Sequence, residues 1–328
     1  MRLGPVQLNP RKGQSQLGLE LSTDTRSLPV LDQRNRRVRF HSLTVRQVLN
    51  SPVTTGMGFW SLNPYIGCEF GCTYCYARKT HEWAVDRNSR QLNAQGAESP
   101  WSAFEHEILA KTGAPEVLLR TLDPAKLKGE LLVIGTATDP YQPAERTLLV
   151  TRRVLEALLR FQDLKLGIIT KSPLVTRDLD LLTRIAKRHD LTVNISIASM
   201  DAGLLRTLEA RSPAPHARIR ALARLTRAGI RAGVMIAPII PGITDRWASL
   251  AAVMEAARGA GAKFAHGFPL RLGPAARKGF LPVLERKFPE LVERYRRQYG
   301  PKLNAGKAYQ AALKRRLQSL REAFGLSV

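Results

Sequence analysis

Short apolar runs alternate with longer amphipathic stretches through the middle of the chain. The apolar runs cover residues 59–65, 131–134, 166–170, 192–197, 234–237 and 263–265. The stretches with one apolar helical face cover residues 145–160, 177–188, 216–228 and 248–258. Strands of a parallel sheet are buried on both faces, and each needs a crossover, usually a helix, before the next. The alternation therefore predicts βαβ units in an α/β fold.

The number of predicted strands limits the architecture. Six units are fewer than the eight of a closed (β/α)8 barrel, and a doubly wound open sheet fits the same pattern. In either arrangement the functional side chains collect at the carboxyl ends of the strands. The polar residues there lie in segments 135–145, 170–173, 238–245 and 266–271, and at Asn194 and Ser196. These positions form the predicted site.

The two ends of the chain differ from this middle part. Residues 1–58 are polar and basic without sustained periodicity, which predicts an extension that is partly disordered or wrapped on the core. Residues 59–272 are expected to form the barrel domain, and residues 273–328 a basic helical segment. No run is long and apolar enough for a membrane span or a secretory leader, so the sequence predicts no membrane association.

The charge balance indicates a polyanionic partner. The chain has 51 Lys and Arg against 27 Asp and Glu, a net charge of +24. This excess is typical of proteins that bind nucleic acid, although an Arg-rich composition with nothing bound gives the same number. Two basic groups are candidate phosphate contacts, or else solvated faces of an extension and of capping helices. They comprise Arg34, Arg36, Arg37 and Arg39, and Arg294, Arg296, Arg297, Lys314, Arg315 and Arg316 beside Tyr295, Tyr299 and Tyr309.

All three cysteines lie within residues 63–78, after the first predicted strand. The spacing of Cys68, Cys72 and Cys75 is Cys-x3-Cys-x2-Cys, and thiolates suit iron–sulfur clusters and zinc. Zinc would need a further ligand such as His81, whereas a cubane cluster on three cysteines would keep one iron open. Three structural thiols are the remaining alternative. The absence of a disulfide framework predicts a reducing cytoplasm.

The cysteine spacing resembles the motif of the radical S-adenosylmethionine superfamily, Cys-x3-Cys-x-aromatic-Cys, with Tyr74 in the aromatic position. The resemblance implies a partial (β/α)6 TIM-like barrel that holds a 4Fe-4S cluster, with S-adenosylmethionine chelated to the open iron. It also implies an electron donor such as flavodoxin or ferredoxin. One electron then cleaves S-adenosylmethionine and yields a 5′-deoxyadenosyl radical, which removes hydrogen from unactivated carbon.

A narrower resemblance rests on the stretch Asn-Pro-Tyr-Ile-Gly-Cys and the polar strand-end segments. Over about residues 60–271 these are similar to the branch of the superfamily related to spore photoproduct lyase. The lyase carries a hydrogen-returning cysteine in the segment that matches residues 135–139, where this chain has Thr136 and no spare cysteine. An alcohol O–H bond is too strong for that role. Tyr76 matches a tyrosine linked to radical relay, which implies that Tyr76 is the catalytic residue.

The same resemblance implies five contacts with the cofactor. Tyr74 would lie near the adenine, and Lys171 would pair with the methionyl carboxylate. Thr138 would place a hydroxyl close to the cofactor, Asp139 would hold the ribose or the amino group, and Ser196 would add a polar contact. The structural alternatives are that Thr138 or Asp139 caps a helix and that Lys171 is a surface cation.

These features predict a radical S-adenosylmethionine enzyme that acts on nucleic acid, either as a lyase-like DNA repair enzyme or in nucleotide modification. Two alternatives stay open. The enzyme could act on a small molecule or a protein, or the chain could be a non-catalytic, metal-containing nucleic-acid-binding protein. The colour of anaerobically purified protein separates the last alternative from the others, because zinc is colourless.

Overall fold

The structure, a computed structural model, describes residues 30–34, 38–80 and 100–328. Its strands are β1 (Val30–Arg34), β2 (Val38–Ser42), β3 (Leu49–Asn50), β4 (Trp60–Leu62), β5 (Tyr65–Ile66), β6 (Glu107–Ala110), β7 (Leu131–Ile134), β8 (Lys165–Thr170), β9 (Asp190–Ser196), β10 (Ala232–Ile239) and β11 (Ala265–Pro269). Its α-helices are α1 (Pro52–Thr55), α2 (Pro100–His106), α3 (Ala114–Thr121), α4 (Glu145–Leu148), α5 (Val150–Leu158), α6 (Leu179–Ala186), α7 (Ala202–Leu208), α8 (Pro215–Arg227), α9 (Trp247–Gly259), α10 (Pro274–Lys287), α11 (Val292–Tyr299) and α12 (Lys307–Phe324).

The larger sheet has the order β11-β10-β9-β8-β7-β4-β3. Within this sheet, the neighbouring strands β4, β7, β8, β9, β10 and β11 are parallel. At one edge, β3 is antiparallel to β4. The six parallel strands therefore follow one another in chain order. A doubly wound sheet reverses its strand order at a switch point, so the observed order favours the partial barrel. The predicted α/β fold with a mostly parallel sheet is confirmed.

Two strands differ most from their predicted bounds. The first apolar run, residues 59–65, is divided: β4 ends at Leu62, and after Pro64 the chain enters β5 in the other sheet. The last run was predicted at residues 263–265, but β11 spans Ala265–Pro269. Its pattern is weak because Gly267 and Pro269 interrupt it, and only its pairing with β10 identifies it as a strand.

A smaller sheet packs beside the barrel and was not predicted. Its order is β1-β2-β6-β5, with β2 and β6 parallel and the two outer pairs antiparallel. These strands have two to five residues each, too few to show a period in the sequence. Phe40 of β2 is fully buried in the same core cluster as the barrel strands, so this part of residues 1–58 packs on the core.

The helix predicted over residues 145–160 is two helices, α4 and α5. Leu149 lies between them with a φ of 53°, in the left-handed region. The carboxylate of Glu145 accepts hydrogen bonds from the N–H groups of Thr151 (2.9 Å) and Arg152 (3.1 Å). It thereby satisfies donors in the first turn of α5 that have no partner within the helix. Hydrophobic periodicity does not reveal these hydrogen bonds of Glu145 across the break at Leu149.

The aromatic residues of the C-terminal segment are mostly buried. Tyr295 and Tyr299 are 2% and 1% exposed, and their rings stack at a centroid distance of 5.4 Å. The hydroxyl of Tyr309 donates to Asp245 (3.1 Å). Tyr295 and Tyr299 belong to a second core cluster with residues of α10, and Tyr309 packs against it, so these rings are part of the protein's packing. The C-terminal segment therefore matches the other interpretation, in which it forms capping helices with a charged outer face.

The N-terminal basic group lies largely outside the described side chains. Arg36 and Arg37 fall outside the described residues, and Arg34 is described only as part of β1. Arg39 donates from Nε to the carboxylate of Glu107 (2.8 Å). Its charge is therefore paired within the protein.

Across the described residues, no helix has the length and apolar character needed to cross a membrane.

Candidate active site

At the end of β4 the chain leaves the parallel sheet and passes through β5 of the smaller sheet. After β5 the chain enters a loop that carries Cys68, Cys72 and Cys75. All three thiols line one cavity of about 220 Å³. Residues from the carboxyl ends of β7, β8, β9, β10 and β11 line the same cavity. The strand-end segments that the sequence grouped therefore surround the cysteines.

A glycine precedes each of the first two cysteines, and both glycines have positive φ angles. The angles are 91° at Gly67 and 65° at Gly71. A Cβ atom on Gly67 would lie 2.9 Å from the carbonyl oxygen of Phe104, and one on Gly71 would lie 2.7 Å from the guanidinium of Arg211. Other residues are therefore disfavoured at both positions by backbone conformation and by space.

Gly67→Ala is expected to displace the cysteine loop, because the backbone carbonyl of Phe104 cannot move as freely as a side chain. We expect a lower thermal midpoint and a lower iron content after anaerobic reconstitution. Gly58→Ala is the matched control, since Gly58 has a φ of 74° with nothing within 4 Å of a Cβ atom. The control carries only the left-handed penalty of about 1–2 kcal/mol and should keep its iron. Equal losses in both variants would contradict the clash.

The end of α7 and the residues after it, 208–211, also hold the cysteine loop. The N–H of Thr73 donates to the carbonyl of Leu208 (2.9 Å), and the N–H of Arg211 donates to the carbonyl of Phe70 (3.1 Å). Backbone hydrogen bonds of this kind fix the path of a loop that has no regular structure of its own. This segment could not be recognised from the sequence, because it lies between predicted strands and carries no motif.

Glu105 of α2 joins two arginines that support the same loop. Its carboxylate forms ion pairs with Arg78, which is 1% exposed, and with Arg211. Arg78 also donates to the carbonyl of Cys72 (3.2 Å). Burial is the largest influence on the pKa of Glu105 and raises it, but the two guanidinium groups together lower this pKa below its usual value. The loop is therefore braced by charge-assisted hydrogen bonds.

The segment after β7 turns its polar side chains toward the cysteine loop. The hydroxyl of Thr138 donates to the carbonyl of Gly67 (2.6 Å), and the amide of Gln142 donates to the same carbonyl (3.3 Å). Gln142 also accepts from the N–H of Glu69 (3.0 Å). Thr138 lines the cavity, but its hydroxyl proton is used within the protein. Its contact with the cofactor stays a prediction.

Asp139 joins the ends of two neighbouring strands. Its carboxylate accepts from the N–H of Tyr141 (2.9 Å), the hydroxyl of Thr170 (2.7 Å) and the N–H of Lys171 (2.7 Å). Burial raises the pKa of Asp139, and these hydrogen bonds oppose that shift without cancelling it. The bond to Tyr141 is an Asx turn, not the cap of a long helix. The predicted contact of Asp139 with ribose or an amino group stays a prediction.

A buried carboxylate, Glu209, joins two of the residues that the sequence placed at the cofactor. The hydroxyl of Tyr74 donates to Glu209, and the ammonium of Lys171 lies 3.9 Å from the same carboxylate. Arg218 forms an ion pair with its other oxygen. The Lys171 nitrogen is also 5.8 Å from the centroid of the Tyr74 ring. Tyr74 and Lys171 are therefore parts of one buried polar cluster.

The charges of this cluster favour their ionised forms. Burial is the largest influence on Lys171 and lowers its pKa, but Glu209 and the Cys72 thiol contribute to a net rise. Burial also disfavours the charged form of Glu209 and so raises its pKa. Lys171, Arg218 and the Tyr74 hydroxyl together outweigh this effect and lower the pKa of Glu209. Lys171 is 17% exposed, so it is not a solvated surface cation. Lys171 and Arg218 share the carboxylate of Glu209. The ammonium of Lys171 is farther from this carboxylate and can bind a second anion.

Sequence reasoning missed Glu209 and Arg218 because no local signal marks them. Glu209 is 135 residues from Tyr74, its hydrogen-bonding partner. Arg218 is 1% exposed in α8 and donates to the carbonyl of Ser196 (2.9 Å), so it also orients the end of β9. The hydroxyl of Ser196 donates to the carbonyl of Ala237 (3.2 Å) and lines the cavity. Its cofactor contact stays a prediction.

Tyr76 lies in the cavity wall and is 45% exposed. Its hydroxyl donates to the carbonyl of Thr136. Burial of the hydroxyl, followed by the nearby Cys75 thiol, raises the pKa of Tyr76 to about 12. The phenol therefore stays protonated at neutral pH and faces the cavity, as a hydrogen donor would have to. Its catalytic role stays a prediction.

The donor set fits an iron–sulfur cluster. Burial raises the pKa of all three thiols, that of Cys72 to about 12. Bound thiolates in this cavity therefore need positive charge close to the sulfur atoms. Part of it comes from the protein, in the N–H groups of Phe70 and Asp139 at Cys68, the ammonium of Lys171 at Cys72 and the guanidinium of Arg78 at Cys75. Bound iron would supply the rest.

A single zinc ion would need a different arrangement. Among the described side chains, no group of three or more His, Cys, Asp and Glu residues is placed to hold one metal ion. His81, the ligand considered for zinc, lies outside the described residues. A cubane cluster takes one thiolate on each of three irons, so its ligands need not converge on one point.

The fold and the cysteine loop together define a class of protein. Six parallel strands follow one another in chain order, and three cysteines after the first of them line a cavity at the carboxyl ends of the others. The sequence profile described as the Radical SAM superfamily matches residues 62–253. The chain belongs to this superfamily, whose members use a 4Fe-4S cluster and S-adenosylmethionine.

Similar proteins place the chain within a set of uncharacterized relatives. A protein of Mycobacterium tuberculosis is 33% identical over 287 residues, which is 86% of this chain and 80% of the relative. A protein of Methanocaldococcus jannaschii is 28% identical over 211 residues, 64% of this chain and 71% of the relative. Both relatives are described only as uncharacterized proteins.

Solved structures of spore photoproduct lyase share the fold. A variant with bound AdoMet and a dinucleoside spore photoproduct superposes with a TM-score of 0.62 at 15% identity, covering 96% of this chain and 90% of that chain. A second variant gives a TM-score of 0.61 at 16% identity, covering 87% of this chain and 79% of that chain. At these identities the likeness shows the architecture.

Proposed function

We propose that this radical S-adenosylmethionine enzyme acts on nucleic acid. The single observation that carries the enzymatic part is that Cys68, Cys72 and Cys75 line one cavity with Tyr74 and Lys171. Glu209 contacts both of the latter side chains. The nucleic-acid part rests on the net charge of +24. It is also supported by the architecture shared with a lyase whose solved structure holds a dinucleoside photoproduct.

The three thiolates would hold the cluster, and each residue around them has a defined task. When bound, the cluster supplies one electron, taken from a flavodoxin or ferredoxin, that cleaves S-adenosylmethionine into methionine and a 5′-deoxyadenosyl radical. The ammonium of Lys171 would bind the methionyl carboxylate, because Glu209 is already paired with Arg218. The ring of Tyr74, held by its hydrogen bond to Glu209, would lie against the adenine.

Lys171→Ala is expected to weaken binding of S-adenosylmethionine by about 1.5–3 kcal/mol, the range for a hydrogen bond to a charged group. Equilibrium dialysis with the reconstituted protein measures this loss. Lys165→Ala is the matched control, because Lys165 is an exposed lysine at the opposite end of β8. Unchanged affinity in Lys171→Ala would remove Lys171 from the proposed cofactor site.

Hydrogen return to a substrate radical would fall to Tyr76. The chain has three cysteines, all used for the cluster in this proposal, so no thiol remains for the route used by the lyase. The hydroxyl of Thr136 is a poor alternative because of its strong O–H bond. It also bonds to Asn63. Tyr76 carries a cavity-facing phenol beside Thr136. Reversal of a thymine photoproduct by the thiol route is therefore not proposed.

The nucleic-acid substrate is tested by turnover. Adding single-stranded DNA or RNA is expected to increase 5′-deoxyadenosine release by the reduced protein over the rate without substrate. Binding should weaken with salt, log K falling by about 0.7 per phosphate contact on single strands. Release of 5′-deoxyadenosine without stimulation by DNA or RNA would favour a small-molecule or protein substrate. No release under any condition would favour the non-catalytic alternative.

A further inference from the structure

A second concavity lies between the last strand and the last helix. It has a volume of about 350 Å³ and lies at the edge of the barrel sheet, where β11 is the final strand. Gly267 and Pro269 of β11 form one wall. The other wall is one face of α12, with Gln310, Ala311, Leu313, Lys314, Leu317 and Arg321. We call this concavity the β11–α12 groove.

Within the groove, α12 approaches β11 closely at one residue, Gly267. A Cβ atom on Gly267 would lie 2.6 Å from Leu317, so a larger residue would push the helix away from the strand. Lys314 and Arg321 are three residues before and four residues after Leu317. These spacings place all three side chains on the same helical face. The packing of Leu317 therefore orients both cations toward the groove.

No described carboxylate neutralises the positive charge of the groove. Lys314 is exposed and Arg321 is half-buried. Neither forms an ion pair with a carboxylate in the part of the chain that the structure describes. The nearby His266 has a lowered pKa, first because of burial and then because of Arg321 and Arg231. Arg316, on another face of α12, instead donates to the carbonyl of Asp245 and is held within the protein.

The groove adjoins the active-site cavity. Pro269 lines both, so the two concavities lie on either side of one residue. Phe268 is 50% exposed and lines the cavity, as does the exposed Arg271. A nucleic-acid strand lying in the groove would therefore meet the ring of Phe268 and the cation of Arg271 as it reaches the cavity. Base stacking and phosphate contact are the interactions that such residues offer.

We propose that the β11–α12 groove binds the phosphate backbone of a nucleic-acid strand and guides one nucleotide of that strand to the active-site cavity. This inference rests on the proposed function of the cavity. Lys314 and Arg321 are seven residues apart, or about 10.5 Å along the helix axis. Two cations at that spacing can contact successive phosphates of one strand. The net charge of +24 and the position of the groove beside the active-site cavity favour a polynucleotide as the occupant.

The test compares salt dependence of binding in matched variants. The double variant K314Q/R321Q of the full reconstituted protein is titrated with a mixed-sequence single-stranded oligonucleotide, as DNA and as RNA, at several salt concentrations. Loss of two phosphate contacts should make the slope of log K against log salt less steep by about 1.4, and K314Q alone by about 0.7. Stimulation of 5′-deoxyadenosine release by the oligonucleotide should also fall.

The control variant R220Q/R224Q removes two exposed cations from α8 that line neither concavity, and its slope should equal that of the parent. An unchanged slope in K314Q/R321Q, or an equal change in both double variants, overturns the assignment of the groove. Inorganic phosphate and a nucleoside monophosphate are further probes. If either binds as tightly as the oligonucleotide and with the same dependence on Lys314, a small phosphate ligand replaces the strand.

The two proposals fail in different ways. If the oligonucleotide neither binds the parent protein nor stimulates it, the nucleic-acid part of the proposed function fails, and the groove assignment fails with it. If the parent protein binds and is stimulated but K314Q/R321Q behaves identically, only the groove is wrong. Lys314 is exposed, so K314Q alone provides a readout even if the double variant loses thermal stability.

Discussion

Replacing Cys68, Cys72 or Cys75 with alanine is expected to abolish both the brown colour of the anaerobically reconstituted protein and its cleavage of S-adenosylmethionine. Each thiolate holds one iron, and the cluster cannot be completed by another residue because the chain has no fourth cysteine. The parent protein should contain about four irons per chain by colorimetric analysis. Production of 5′-deoxyadenosine and methionine by the reduced protein measures the activity.

The matched control for these variants is Ser212→Ala. The hydroxyl of Ser212 lies 3.8 Å from the sulfur of Cys72, so the control removes a polar neighbour and leaves the ligand in place. It should retain iron. The cysteine variants should keep their far-ultraviolet circular dichroism, because the barrel core lies in a separate cluster of buried side chains. A colourless parent protein with one bound zinc would contradict the iron–sulfur centre.

Glu209→Gln is expected to destabilise the protein by about 3–5 kcal/mol, the usual effect of removing one partner from a buried ion pair. Glu209 and Arg218 have side chains that are 0% and 1% exposed. The substitution leaves the guanidinium of Arg218 and the ammonium of Lys171 without their shared carboxylate. Guanidinium chloride unfolding of the parent and the variant, measured with the same buffer and cluster content, gives the difference in free energy.

The control for Glu209→Gln is Asp190→Asn, which breaks an exposed pair. Asp190 and Arg231 are 57% and 54% exposed, at a distance of 3.8 Å. Such pairs contribute about 0–1 kcal/mol. Equal destabilisation in the two variants would mean that the buried cluster is no stronger than a surface contact. We also expect Glu209→Gln to reduce binding of S-adenosylmethionine, because Tyr74 and Lys171 lose the group that positions them.

The contribution of Glu209 should depend on pH in a defined direction. Its pKa is lowered in the folded protein, because Lys171, Arg218 and Tyr74 together outweigh the effect of burial. Such a carboxylate stabilises the fold fully above its unfolded pKa of about 4.3 and loses this contribution as pH falls through the folded pKa. The difference in unfolding free energy between parent and variant should be constant near neutral pH and shrink in acid. A difference that grows in acid would contradict this assignment.

Local sequence patterns predicted the frame of the molecule. The run at residues 131–134 coincides with β7, and the run at residues 166–170 differs from β8 by one residue. Central parallel strands are apolar on both faces, so their runs are continuous and easily recognised. The short strands of the smaller sheet were missed, because β5 and β6 depend on each other for pairing and have no pattern of their own.

The sequence also determined the chemistry of the centre. The spacing of Cys68, Cys72 and Cys75 is a local property, and the two preceding glycines are needed for a local backbone conformation. Strand-end segments could be grouped because parallel strands carry their carboxyl ends to the same edge of the sheet. The cavity lining includes Thr138, Lys171 and Ser196 from three different strand ends, which agrees with that rule.

Only the tertiary structure decided which charges are paired. Glu209 meets Tyr74 and Lys171, and Glu107 meets Arg39, through contacts between residues far apart in the chain. Net charge and composition do not distinguish a paired cation such as Arg39 from Lys314, which faces the groove. Proximity in space sets the energy of a charge pair, and proximity between distant segments is fixed by packing, which a single sequence does not display.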